Sequence, residues 1–268
     1  MKNLNLTNKD GNAKTVKGQK LGYKTAVLYM APHKLALSVF RSNKKAFQQA
    51  LKKRYNVDVK QWIIEEKLKA FNACEFARTC IKPCLNTAGL GGVYPSIQFA
   101  RSLKTAFYAL NRESFLSHLK HELGLFYKKT LKDGFNPVFR LNGTSDLEEF
   151  GFIKSLKSDY EKLSIYDYTK DLMRFYDNPI PEYSLSYSIQ DYASFRQWQN
   201  LKHGGNCTII TKQGIDDPIL EKFKDYLLIN GDESDLRFLD PVGKGIVVLK
   251  AKGKARNSKS KFIVNNWS

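Results

Sequence analysis

No stretch of this 268-residue sequence approaches the apolar run needed to cross a bilayer, and the N-terminal MKNLNLTNKDGNAKTVKGQK lacks the apolar centre of a secretory leader. These absences argue against a membrane partner and lead to the expectation of a cytoplasmic protein. No Walker A pattern, dinucleotide fingerprint, short-period repeat or heptad run occurs either. P-loop nucleotide hydrolases, Rossmann dehydrogenases, solenoids and coiled coils therefore drop out. Cysteine is scarce: four residues in all, three of them between positions 74 and 84. In a reducing compartment such clustering points to metal or redox ligation ahead of disulfides.

Acid is short at both ends of the chain. Residues 1–70 hold 16 Lys/Arg against 4 Asp/Glu, a net of +12, and residues 244–261 hold 7 Lys/Arg and no acid, a net of +7. With a total of +18, the remainder sums to −1. A near-neutral body thus carries basic material at both ends, of the kind that attracts phosphate backbones in a salt-dependent way. Nucleic acid is the partner this implies; solvated lysine-rich faces would give the same count. Residues 1–20 read as a flexible basic arm, and residues 21–268 as one domain.

Hydrophobic content of 42% with 13% aromatics indicates a globular chain. Residues 23–30 (YKTAVLYM) read as a strand, 35–55 as a basic helical stretch, and 57–69 as either strand or helix. KAFNA (69–73) is a weak strand candidate, 96–110 reads as helical, and 112–132 is a clearer amphipathic helix. Strand-like runs at 136–141, 163–168, 182–187, 206–210, 226–229 and 245–249 then alternate with helical segments. That alternation predicts an α/β fold of parallel strands: a full or partial (β/α) barrel over about 70–250, with a basic, partly helical N-terminal extension. A doubly wound open sheet is the alternative. Nearly every strand-like run ends in polar residues, which suits a site at the C-terminal strand ends.

The densest chemistry lies in CEFARTCIKPCLNTAGLGG (74–92), where Cys74, Cys80 and Cys84 are spaced C-x5-C-x3-C. Three thiolates can hold a 4Fe-4S cluster by three irons and leave the fourth open. A structural zinc with His33 or another group as fourth ligand is the rival, and buried free thiols are the plain alternative. Arg78 and Lys82 between them favour thiolates. Cys207, inside a strand-like run, reads as core. Gly89, Gly91 and Gly92 follow at once, and glycine backbone admits a ligand closely.

At the later strand ends, Asn142, Ser145 and Asp146 (RLNGTSD) offer ligand contacts or, for Ser145 and Asp146, the cap of a helix at 147–158. In YDYTK, alternation puts Asp167 and Thr169 on one side and Tyr166, Tyr168 and Lys170 on the other. Asp167 with Thr169 is expected to face the barrel interior, with Lys170 at its rim. Asp232, Glu233, Asp235 and Asp240 form an acidic cluster suited to magnesium, or to a structural pairing with Arg237. His118 and His121 on one helix read as solvated and are set aside.

Together the segments Tyr29-Met30-Ala31-Pro32-His33, CLNTAGLGG, Arg101 with Lys104-Thr105, RLNGTSD, YDYTK, LSYS (185–188), GDESDLRFLDP (231–241) and LKAKGKA (249–255) resemble the gene product 88 domain family of phages and plasmids. The resemblance runs from about residue 22 to the end and implies a mobile-element origin, not a reaction. A looser similarity is to radical S-adenosylmethionine enzymes, which carry a cysteine loop after an early barrel strand. Their usual loop is C-x3-C-x2-C, and a Gly-Gly-Glu on the next strand is absent here, where Val93 follows Gly91-Gly92.

That similarity implies an iron–sulfur enzyme in which Cys74, Cys80 and Cys84 ligate the cluster. Gly89, Gly91, Gly92, Asn142, Ser145, Ser186 and Lys212 would line the S-adenosylmethionine cavity, with Asp146, Asp167 and Lys170 acting on a nucleotide or nucleic-acid substrate. The alternatives are a nucleic-acid-binding replication or accessory protein with structural zinc or no metal, and a metal-dependent nuclease using Asp146 and the 232–235 carboxylates.

Overall fold

Short β-branched and aromatic runs become the strands: β1 Tyr23–Val27, β2 Asn136–Arg140, β3 Ser164–Thr169, β4 Tyr183–Ser188, β5 Cys207–Thr211, β6 Leu228–Asn230 and β7 Ile246–Lys250. The computed structural model describes residues 4, 6, 13–202, 204–241 and 243–267. Helix α1 Ala13–Gln19 precedes β1; α2 His33–Ser42, α3 Lys44–Tyr55, α4 Gln61–Ala70, α5 Leu90–Val93, α6 Pro95–Leu110 and α7 Arg112–Lys132 make up the first crossover; α8 Phe150–Asp159, α9 Leu172–Tyr176 and α10 Tyr192–Gln199 serve the next three.

Local capping sets several boundaries. The stretch expected as one helix over 35–55 is two, because Asn43 leaves helical geometry and its side chain accepts the Ala46 amide at 3.1 Å, starting α3. Residues 61–70 are helix, not strand, and 71–73 lie outside any strand. The helix expected from 147 begins at Phe150 with no side-chain cap, because the Asn142 side chain holds Leu147 in the preceding loop.

All seven strands are parallel, in the order β1-β2-β3-β4-β5-β7-β6. Parallel crossovers turn right-handed, so five successive steps in one direction put their linkers on one face. The single backward step, from β6 to β7, must cross the other face. Side-chain alternation agrees. Ala26, Phe139 and Ile165 join the core under the helices, whereas Val138 and Tyr166 pack with Leu236 of the returning segment.

The sheet is open, with β1 and β6 as its edges, so the expected full barrel is corrected. The β6–β7 segment packs against β1 on the face opposite the helices, without a ladder to it. Phe238 meets the Tyr23 ring edge-on at 5.4 Å, and Lys17 donates to the Asp232 carbonyl at 2.5 Å. Much of the stretch read as a flexible arm lies outside the described residues. Of the rest, α1 packs on β1, and the amides of buried Leu4 and Leu6 donate to Glu122 at 2.7 and 2.9 Å. Among the described residues no helix is long and apolar enough to cross a membrane.

One buried group works against this packing. Lys104 on α6 is 5% exposed and has no hydrogen-bond or ion-pair partner among the described residues, and burial pushes its ammonium down to about 8. The unfolded lysine titrates near 10.5, so the penalty is fully present below pH 8 and is relieved as pH climbs between the two values. Lys104→Met is therefore expected to stabilise the chain by about 3 kcal/mol at neutral pH, an advantage that disappears above the ordinary lysine range. Urea unfolding at both pH values checks the sign; equal stability of the two proteins at neutral pH would contradict it.

Candidate functional site

The cysteine loop is sewn to the C-terminal ends of the central strands. Beyond β2, the Asp146 amide donates to the Ala73 carbonyl at 2.7 Å, and the Cys74 thiol approaches the Thr144 carbonyl at 3.8 Å. Beyond β4, Gln190 is buried and serves three loop residues. Its Oε1 accepts the Arg78 amide at 2.7 Å and faces the Cys80 thiol at 3.6 Å, and its Nε2 donates to the Phe76 carbonyl at 2.8 Å. Thr79 Oγ1 also donates to the Gln190 carbonyl. These anchors straddle the end of β3, where half-buried Lys170 follows Thr169.

Electrostatically the three thiols and Lys170 form one group. Burial pushes the Cys74 thiol up to about 12 and raises that of Cys80, and in both the Lys170 ammonium pulls the other way. Burial alone would lower Lys170, but the charges of Cys80, Asp146, Cys74 and Cys84 raise it. A second cation, Arg101 of α6, lies 4.8 Å over the Tyr29 ring; burial lowers it while Tyr29 and Cys84 oppose. As they stand, no three His, Cys, Asp or Glu side chains among the described residues form a group that could hold a metal ion. Cys207 lies in the sheet core, where burial holds its thiol well above the usual range.

The glycines expected beside the ligand serve mainly to pack the loop on α6. A Cβ on buried Gly91 would strike the Arg101 guanidinium, and one on Gly92 would strike the Thr87 carbonyl. Arg101 donates to Asn86 Oδ1 at 2.9 Å, and Gln98 Nε2 donates to the carbonyls of Asn86 (3.0 Å) and Gly91. Gly89, at φ +58°, has open space where its side chain would be.

Asn142, Ser145, Asp146 and Asp167 are brought together as a buried lattice. Asn142 Oδ1 accepts from Ser145 Oγ (2.9 Å) and the Leu147 amide (2.8 Å), and its Nδ2 donates to the Leu147 carbonyl (3.0 Å). Asp167 accepts the Asn142 amide at 2.8 Å and the Tyr183 hydroxyl at 2.7 Å. Burial pushes its carboxyl up to about 6, against the pull of Arg174 and Arg140. Arg174 binds Asp146 at 2.9 Å, and the second Asp146 oxygen accepts the Lys170 amide at 2.8 Å.

Asp167 shares the helix-side face with Ile165, unlike the expected inward placement; Tyr166 and Tyr168 take the opposite face and donate to Asp235 at 2.8 and 3.2 Å. Arg140 completes that second network, 3.1 Å from Asp235. Ser186 lies within 2.5 Å of Thr208 Oγ1, and Lys212 is exposed at the end of β5, its amide donating to Asn265. The acidic loop is tied inward as well: Asp232 pairs with Lys252 at 2.6 Å, Glu233 accepts from Asn230, and Arg237 pairs with Asp240 at 3.3 Å. Gln190 and Arg174 were missed in the sequence, where one reads as a turn residue and the other as a helix-surface charge.

No curated protein and no solved structure matches this chain. A family model does, that of gene product 88, over residues 7–266, nearly the whole chain. The motifs spread from the cysteine loop to the basic C-terminal segment thus have their explanation in common descent: the chain belongs to the gene product 88 family.

Proposed function

We propose that this chain is an iron–sulfur enzyme of radical S-adenosylmethionine type, its open sheet acting as a partial β/α barrel. One observation carries this: the loop that bears Cys74, Cys80 and Cys84 is anchored over the C-terminal ends of β2 and β4, where parallel sheets bind ligands, with Lys170 at the end of β3 between those anchors. Cys74, Cys80 and Cys84 would hold the cluster and lose their protons as the metal enters. When bound, a cluster with one open iron supplies the electron that splits a sulfonium C–S bond into methionine and an adenosyl carbon radical. Lys170 and Arg101 balance the thiolate charge. The Asn142–Asp146–Arg174 lattice holds Lys170 at the strand end, and Gly89 on the loop leaves open space at its Cα.

The carboxylates a nuclease would use have internal partners, so geometry favours the thiol site. Zinc on the same thiols remains the alternative cofactor. Anaerobic reconstitution with ferrous iron and sulfide, followed by dithionite and S-adenosylmethionine, tests the proposal. Bound iron and sulfide with release of 5′-deoxyadenosine is the expected result. A preparation that takes up neither iron nor sulfide would remove it.

A further inference from the structure

Exposed apolar side chains are concentrated on the cysteine loop. Phe76, Ile81, Leu85, Leu90, Val93 and Tyr94 are each at least 44% exposed. The basic segment after β7 runs alongside. Ser260 Oγ donates to the Thr79 carbonyl at 2.6 Å, and Ala255 and Phe262 share an apolar cluster with Cys80 and Ala77. Lys250, Lys254, Arg256, Lys259 and Lys261 all stand exposed there, with no acid in residues 244–261 and no ion-pair partner among the described residues. Arg78 and Lys82 add exposed cations on the loop itself.

We infer that this face binds single-stranded nucleic acid, with phosphates along the 250–261 cations and unstacked bases against Phe76 and its apolar neighbours. Asp232, which holds Lys252, and Asp191, 3.8 Å from Arg78, are the acids paired with this rim, and the remaining exposed cations outnumber them. Such a cationic surplus fits a polyanion, and releasing its counterions drives the association. Apolar and aromatic groups beside that rim fit bases only where these are unpaired, since a duplex hides their faces. A membrane surface fits less well. The face is built of loop, 3-10 turns and the four-residue helix α5, not of an amphipathic helix long enough to lie in a headgroup layer. The inference stands apart from the proposed chemistry, because the cations of residues 250–261 and the Phe76 side chain have no part in holding the cluster.

Fluorescence anisotropy with labelled single-stranded DNA and RNA oligonucleotides, over a salt series, tests it on the full chain. Duplex DNA and anionic vesicles serve as comparison probes. Running iron-free and reconstituted protein side by side separates this result from the fate of the cluster. The single strands are expected to bind more tightly than the duplex and the vesicles. Lys254→Ala/Arg256→Ala/Lys259→Ala should weaken binding and lower the slope of log K against log salt by about 2. Phe76→Ala should weaken binding roughly tenfold with the slope unchanged. No binding at low salt, a preference for duplex or vesicles, or a triple variant that binds as the parent does would each overturn the inference.

Discussion

Replacing Cys74, Cys80 or Cys84 singly by alanine is expected to cut the iron and sulfide retained after anaerobic reconstitution by at least roughly tenfold. Losing an outer-shell partner alone typically costs 10–100-fold in metal affinity, and loss of a direct thiolate should cost no less. Cys207→Ala supplies the control, since that thiol lies in the sheet core away from the loop. Lys170→Met tests the electrostatic part. All three thiols act on its ammonium, so its removal should leave the ligands in place yet weaken retention of the cluster. Iron and sulfide content with visible absorbance reads each variant. Undiminished content in all three loop variants would mean that the loop does not hold the centre.

The second large effect concerns stability. Arg174 and Asp146 form an ion pair with each side chain 1% exposed, and Arg174 also donates to the Tyr183 hydroxyl at 2.7 Å. Arg174→Met strands a buried carboxylate and is expected to cost about 3–5 kcal/mol in urea unfolding. Pairing it with Asp146→Leu should recover part of the loss, because no uncompensated charge then remains. Recovery stays incomplete, since Asp146 also accepts the Lys170 amide. A cost below about 1 kcal/mol for the single variant would place the pair in solvent, where ion pairs contribute little. The same variant loosens Lys170 and should lower cluster retention, which links the lattice to the site.

These residues show how far the sequence could be read. RLNGTSD and YDYTK were identified as strand ends with polar groups, and they are. Their facing was not legible. Tyr166 and Tyr168 on one side of β3 and Asp167 and Thr169 on the other are equally plausible inward sets, because aromatics and a carboxylate can each be buried once partnered. The partners stand on other elements: Asp235, in the β6–β7 segment, lies 69 residues from Tyr166, and Tyr183, on β4, 16 from Asp167. The glycines after Cys84 could be read as ligand-facing or close-packing, and Arg101, from the next helix, decided it for Gly91.

By itself the sequence determined most of the element list, the parallel α/β class and the clustering of three cysteines. Each follows from local periodicity, capping or spacing within a few residues. Only the tertiary structure decided that the sheet stays open, that the chain returns across its other face between β6 and β7, and that Gln190 ties the cysteine loop to the end of β4. Those outcomes depend on which strand edges pair and which buried donors meet acceptors more than a hundred residues away, and no pattern within a single segment encodes either.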